Sequence, residues 1–114
     1  MDAKVAVPAD IAGLHPSLFA LEVDGNCMAP TINPGDFVVV ADGAHTILDG
    51  KEMVALEIDG IMYLCRPLRI MGQVVMFCDN PQYPNATVKE DQVKVIGPIV
   101  HVASDEIIEG QLAI

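Results

Sequence analysis

The sequence predicts a mainly β domain, and two features support that prediction. From residue 18 onward, short runs rich in Val, Ile, Phe and Tyr alternate with clusters of Gly, Pro, Asn and Asp, a pattern typical of strands and turns. The second feature is size: 114 residues with 52% hydrophobic and 19% charged side chains can form one packed core, but not two. We therefore expect a single domain built mostly of strands.

Six runs are predicted to be strands. The run 37–41 is continuously apolar and β-branched, which favours a central strand buried on both faces. The runs 52–58 and 61–66 flank Asp59 and Gly60, the dipeptide type that most strongly favours a two-residue hairpin turn. The remaining strands are predicted at 18–23, 73–78 and 93–103.

Helices are expected to be minor elements of this domain. Only the runs 8–17 and 104–112 could be helical, and the two prolines of the loop 79–85 prevent regular strand pairing there. We divide the chain into an N-terminal lead-in, a domain body and a C-terminal tail, with the boundaries 1–17, 18–103 and 104–114.

The charge of the chain narrows the range of its partners. Six Lys and Arg against sixteen Asp and Glu give a net charge of −10, and such a surface repels the phosphate backbone of nucleic acids. No run reaches the roughly 18 apolar residues that a membrane span requires, and the N-terminus lacks the order of a secretion signal. We expect a cytoplasmic chain that contacts neither a membrane nor, by itself, DNA.

Three cysteines, Cys27, Cys65 and Cys78, are the candidates for thiol chemistry. Their odd number and the lack of a CxxC pair argue against a disulfide framework and against a zinc site. We therefore expect reduced thiols, no metal and no other cofactor.

Four sequence motifs identify a family resemblance. Residues 25–36 read Gly-Asn-Cys-Met-Ala-Pro-Thr-Ile-Asn-Pro-Gly-Asp. This segment resembles the nucleophile loop of the LexA, UmuD and phage-repressor family of self-cleaving serine peptidases, in which Gly-Asp-Ser-Met-x-Pro is followed by Pro-Gly-Asp and an apolar strand. Residues 63–66 stand where that family has a Lys-Arg pair. Residues 78–83 resemble its Ser-x-Asn-Pro-x-Tyr loop, and residues 95–100 its terminal Ile-x-Gly-x-Val-Val strand.

This resemblance covers residues 18–102 and implies a LexA/signal-peptidase-like complex β-fold of short strands and hairpins. In the family, a Ser hydroxyl attacks a peptide carbonyl and a neutral Lys takes its proton. The resemblance places Cys27 at the Ser position, Cys65 at the Lys position and the backbone N–H of Met28 in the oxyanion hole. Arg66 cannot replace the base, because it keeps its proton and points to the opposite face of its strand. We expect a site in which all three residues are inactive.

Two other arrangements of the site are less favoured. A disulfide between Cys27 and Cys65 is disfavoured because Cys65 holds its sulfur on one carbon where a lysine reaches across four. A metal site completed by His15 or His45 is rarer still. The dipeptide Ala12-Gly13 matches the type of bond that self-cleaving members cut, but we expect it to be an ordinary part of the lead-in.

The leading functional hypothesis is a catalytically degenerate LexA-like C-terminal domain. It would serve the dimerisation and regulation of a phage-type transcriptional repressor, in a prophage or SOS-response setting, with DNA bound by a separate N-terminal domain. One alternative is a Cys-based self-cleaving peptidase of the same fold, with Cys27 as nucleophile. The other is a stand-alone accessory subunit that resembles UmuD and acts by binding. Thiol reactivity separates the first two hypotheses.

The resemblance also implies a homodimer, and the last predicted strand suits this role. Strict alternation would give this strand two largely apolar faces, which a partner could cover. Pro98 argues against a fully central position in the sheet. We predict pairing with a second chain through Ile99, Val100, His101 and Val102; the alternative is that this strand closes the domain's own sheet. The two faces predicted by alternation are Ile96, Pro98, Val100 and Val102 on one side and Val95, Gly97, Ile99, His101 and Ala103 on the other.

Overall fold

The structure is a computed structural model that describes residues 7–103. This part of the chain contains seven strands and two short helices. The predicted mainly β class is confirmed. The helix predicted at 104–112 lies outside the described residues. Within residues 7–103 no helix is long and apolar enough to cross a membrane. The elements are α1 (Ala9–Leu14), β1 (Leu18–Glu22), β2 (Phe37–Ala41), β3 (Val54–Ile58), β4 (Ile61–Ile70), β5 (Gln73–Phe77), β6 (Ala86–Lys89), a 3₁₀ turn (Glu90–Gln92) and β7 (Lys94–Ala103).

The strands form one antiparallel sheet in the order β1-β2-β7-β3-β4-β5-β6. The predicted hairpin is confirmed: Ile58 pairs with Ile61, and Asp59 and Gly60 both have positive φ, as the favoured two-residue turn requires. β4 continues four residues beyond its predicted end, because its first half pairs with β3 and its second half pairs with β5. β6 was not predicted, since its four residues follow a proline-rich loop.

Buried side chains form three clusters, and β2 contributes to both faces of its part of the sheet. Val38 and Val40 belong to a first cluster, which includes Ile32 and Ala55, whereas Phe37 and Val39 belong to a third cluster. All of β2 is buried, as its sequence predicts. A second cluster, formed by Leu48, Val54, Leu56, Cys65, Val74 and Met76, lies between β3, β4 and β5.

The lead-in packs on the third cluster from residue 7 onward. Val7 is buried in that cluster, and Ile11 and Ala12 of α1 pack against it. α1 therefore lies on the face of β2 opposite the first cluster.

β7 lies between β2 and β3, and two bulges interrupt its pairing. Gly97 pairs with Ala55 while Val95 pairs with Leu56, which leaves Ile96 as an extra residue; Val100 is likewise extra in the ladder with β2. Each bulge shifts the side-chain alternation by one residue. The predicted alternation of this strand is therefore wrong: Ile96 and Ile99 both pack against the first cluster.

The prediction that the last strand is not fully central in the sheet is also wrong. β7 has neighbours on both edges, but residues 94–98 pair with β3 and residues 99–103 with β2. Pro98 lies where the pairing passes from one neighbour to the other. A residue without an N–H is tolerated there, because no single ladder runs continuously through it.

Candidate functional site

Cys27 begins a tight turn between β1 and β2 that is anchored in the core. The Ala29 N–H donates to Asn26 O over 3.1 Å, and the Ile32 N–H donates to Met28 O over 2.9 Å. Met28 and Ile32 are 2% and 0% exposed, and both belong to the first cluster. The turn therefore fixes Cys27, which stays half-buried at the surface.

A cleft of about 520 Å³ lies beside this turn. One wall is the end of β1 and the residues after it, with the exposed acidic side chains of Glu22 and Asp24; the other is the start of β4, with exposed Ile61 and Tyr63. Cys27 lines the cleft between these walls. The volume is in the range typical of ligand-binding clefts.

The first half of β4 has one open edge along this cleft. Residues 61–65 pair with β3 on one side, whereas β5, on the other side, begins its pairing only at Arg66. Within residues 7–103 no strand pairs with the second edge of 61–65. An open edge of this kind offers backbone donors and acceptors to an extended peptide.

Cys65 lies in the core behind the cleft. It is 1% exposed and belongs to the second cluster. Burial, with smaller contributions from nearby Cys78 and Cys27, raises the pKa of the Cys65 thiol to about 12. This thiol therefore remains protonated at neutral pH and cannot accept a proton from a neighbour.

The structure brings Cys27 close to a third cysteine that the sequence did not place in the site. The Cys27 thiol makes a long hydrogen bond to Leu64 O at 3.8 Å, and Cys27 and Cys78 both pack against the first cluster. Burial and, secondarily, the neighbouring Cys27 raise the pKa of Cys78. All three cysteines are free thiols, and within residues 7–103 no group of three or more potential ligands is arranged to hold a metal ion.

Asn80 holds the loop after β5 against the turn that carries Cys27. Its backbone N–H donates to Cys27 O and its side-chain amide donates to Asn26 O, both over 2.9 Å. Its side-chain oxygen accepts the Gln82 N–H at 3.0 Å, and the Tyr83 hydroxyl bonds the Asn26 side chain. Asn80 is 8% exposed, so these hydrogen bonds satisfy a buried amide. The sequence shows the Asn-Pro-x-Tyr motif, but it does not show that this motif binds the turn of Asn26 and Cys27.

The carboxylate of Asp79 makes the second connection between the turn of Cys27 and the loop after β5, and it also binds Arg66 of β4. Arg66 donates to both carboxylate oxygens of Asp79, over 2.7 and 2.9 Å, and the Thr31 hydroxyl donates to the same carboxylate over 2.7 Å. The hydrogen bond to Arg66 is the main reason that the pKa of Asp79 lies below its usual value, and the same bond raises the pKa of Arg66. The sequence analysis considered Arg66 only as a base, whereas in the structure Arg66 joins β4 to the loop after β5 through Asp79.

Ala12-Gly13 does not lie in the cleft. This dipeptide is part of α1, which packs on the third cluster, whereas Cys27 packs against the first cluster on the other face of β2. Met28 lies in the same turn as Cys27, and its assignment to the oxyanion hole stays a prediction.

The fold and the site together define a class of protein. It is an antiparallel β domain with a half-buried cysteine on a turn, beside a cleft with an open strand edge that can accept an extended peptide. The chain belongs to the Peptidase S24-like family, whose model matches residues 1–100.

One relative of the chain is a repressor. The chain is 33% identical over 100 residues to the LexA repressor of Ruegeria sp. (strain TM1040), an alignment that covers 86% of this chain and 41% of that protein. The chain therefore spans about two fifths of the length of this relative. The predicted LexA-type resemblance is confirmed.

Proposed function

We propose that this chain is the regulatory, dimerising domain of a LexA-like, phage-type transcriptional repressor in which the peptidase chemistry has been lost. The observation that carries this proposal is the state of Cys65. It occupies the position that the resemblance gives to the basic lysine, and its thiol is buried, with a pKa of about 12. A group that keeps its proton cannot activate a nucleophile.

Neither Arg66 nor Cys78 can take over the role of the base. Arg66 is held by Asp79, and its guanidinium does not lose its proton in proteins. The Cys78 thiol has a raised pKa, so it is a poor proton acceptor at neutral pH. The inactive assignment of Cys27, Cys65 and Met28 rests on this missing base.

The cleft supports a role in binding that does not depend on cleavage. The open edge of residues 61–65 and the exposed side chains of Ile61 and Tyr63 suit an extended peptide, since main-chain hydrogen bonds give affinity and alternate side chains give specificity. DNA contact is assigned to a separate domain, because a net charge of −10 opposes binding to phosphate. A cytoplasmic location belongs to the same proposal. A UmuD-like accessory subunit is the alternative that also acts by binding.

The first test of this proposal is the absence of self-cleavage. The purified protein, incubated at alkaline pH and followed by intact mass spectrometry, is expected to stay whole, because Cys27 lacks a base. Cys27→Ala is the matched control, since it removes only the candidate nucleophile. A discrete fragment that forms from the wild type and not from Cys27→Ala would contradict the proposal and favour the Cys-based peptidase.

The second part of the proposal is the dimer through Ile99, Val100, His101 and Val102. Residues 99–103 pair with β2 on one edge. Within residues 7–103 no strand pairs with the other edge of residues 100–103. Val102 is 39% exposed, which is unusual for an apolar residue at the middle of a sheet. A second chain, antiparallel about a two-fold axis, would cover this edge.

Sedimentation equilibrium at micromolar concentration tests the dimer. The wild type is expected to sediment as a dimer, and Val102→Asp to dissociate, because the new carboxylates would be desolvated close to the symmetry axis. Met71→Asp is the matched control, since Met71 is 96% exposed at a hairpin turn far from β7 in the sheet order. A monomeric wild type, or a dimer unaffected by Val102→Asp, would contradict the interface.

A further inference from the structure

Two of the three cysteines form a pair that the peptidase resemblance does not explain. Cys27 lines the cleft, and Cys78 lies near enough that Cys27 contributes to the raised pKa of the Cys78 thiol. Both side chains are half-buried and pack against the same first cluster. Cys65, by contrast, is 1% exposed and belongs to the second cluster. The geometry therefore separates one reachable pair from one inaccessible thiol.

The backbones of the pair are held together independently of the thiols. The Asn80 N–H donates to the carbonyl of Cys27 over 2.9 Å, and the Asn80 side chain bonds the carbonyl of Asn26. The segment that begins at Cys78 is thus fixed against the turn that begins at Cys27. A disulfide requires two Cβ atoms close to each other, and these hydrogen bonds hold together the two segments that carry Cys27 and Cys78, which are distant in sequence.

We propose that Cys27 and Cys78 are a redox-active thiol pair that a low-molecular-weight disulfide converts to an intramolecular disulfide at the wall of the cleft. In the first step the Cys27 thiolate attacks one sulfur of the small disulfide. The bond between its two sulfurs breaks, and the first small thiol leaves with the proton that Cys27 released. Cys27 then carries a mixed disulfide.

In the second step the Cys78 thiolate attacks the Cys27 sulfur. The mixed disulfide breaks, and the second small thiol leaves with the proton that Cys78 released. Two cysteine thiols are oxidised, and one small disulfide is reduced to two small thiols. The product is a covalent link between the turn of Cys27 and the loop of Asn80.

The order of the two steps follows from how easily an external reagent reaches each thiol. Cys27 is open to the cleft, so an external reagent reaches it first. Cys78 acts second because its segment is held against the turn of Cys27, and an intramolecular attack compensates for a thiol that ionises less readily. Cys65 takes part in neither step, because no reagent reaches it and it keeps its proton.

The charge of the cleft selects the reagent. Glu22 and Asp24 line one wall, and the chain carries a net charge of −10. A cationic disulfide is therefore attracted to the cleft and an anionic one is repelled. Cystamine, a small disulfide with two amines, is the appropriate probe.

The experiment follows the native protein in the presence of cystamine by acid quenching, alkylation of the remaining thiols, intact mass spectrometry and peptide mapping. The wild type is expected to lose two alkylatable thiols without retaining cysteamine, and the mapped disulfide is Cys27 to Cys78. Cys78→Ser is expected to stop at one cysteamine bound to Cys27, and Cys27→Ser to react at least about tenfold more slowly. Circular dichroism checks that each variant is folded.

Cys65→Ala is the matched control, and it is expected to form the same disulfide as the wild type. Mapping of the wild-type protein decides the pairing even where a variant is unstable. A stable cysteamine adduct on wild-type Cys27, a Cys27–Cys65 disulfide, or an unreactive Cys27 would each overturn the proposal.

Discussion

Replacement of Gly97 by alanine is expected to destabilise the domain by about 3 kcal/mol or more, because the new methyl group has no space. A Cβ at Gly97 would lie 1.9 Å from the carbonyl oxygen of Ala41 and 2.8 Å from its carbonyl carbon. Both atoms belong to backbone, so no side-chain rotation relieves the clash. Ala41 is 0% exposed at the end of β2. The Gly43 N–H donates to Ile96 O over 2.9 Å, which holds the segment after β2 against β7.

Urea unfolding followed by circular dichroism measures this effect. Gly13→Ala is the matched control, because it makes the same chemical change in α1 at a position with no atom within 4 Å of the added Cβ. We expect the control to be neutral or slightly stabilising, since alanine favours a helix over glycine. A Gly97→Ala variant with a free energy of unfolding within about 0.5 kcal/mol of the wild type would show that the strands can separate without cost.

Replacement of Asn80 by alanine is expected to lower the free energy of unfolding by about 2 kcal/mol. The change removes the hydrogen bonds to Asn26 O and from the Gln82 N–H, and it leaves both backbone groups without these partners. Because Asn80 also holds the loop after β5, its loss should open that loop. We therefore expect the half-buried Cys78 to react faster with an alkylating reagent in Asn80→Ala.

Asn80→Asp tests the side-chain nitrogen of Asn80 separately from its oxygen. It keeps the acceptor for Gln82 but places an oxygen against the carbonyl of Asn26, so we expect it to destabilise the domain as well. Asn85→Ala is the matched control, because Asn85 is exposed in the same loop region. Equal stability and equal Cys78 alkylation in Asn80→Ala and Asn85→Ala would contradict the role given to Asn80.

Local sequence patterns predicted most of the strands, because their cause is local. The apolar run of β2 needs burial on both faces wherever it lies, and Asp59-Gly60 favours one turn type through its own backbone preferences. β6 and the second half of β4 were missed because what makes them strands is not local. Both are strands because β5 pairs with them, and the prolines near them hid that pairing from the sequence.

The candidate site was predicted only in part. The motif around Cys27 and the position of Cys65 were visible, and the family assignment followed from them. The roles of Asn80 and of the Arg66–Asp79 pair were not visible, since each depends on a partner in a distant loop. Cys78 was expected only to be a reduced thiol, because its own sequence position cannot reveal that its segment folds against the turn of Cys27.

The sequence by itself determined the β class, the main hairpin and the turn that presents Cys27, because turn chemistry and strand propensity act over a few neighbouring residues. The tertiary structure alone decided which faces β7 presents, why Gly97 lacks a side chain and which cysteine-bearing segments lie together. These features depend on the register between distant strands, and a bulge of one residue reverses every side chain beyond it. No local pattern carries that information, since the bulge is set by the two strands between which β7 must fit.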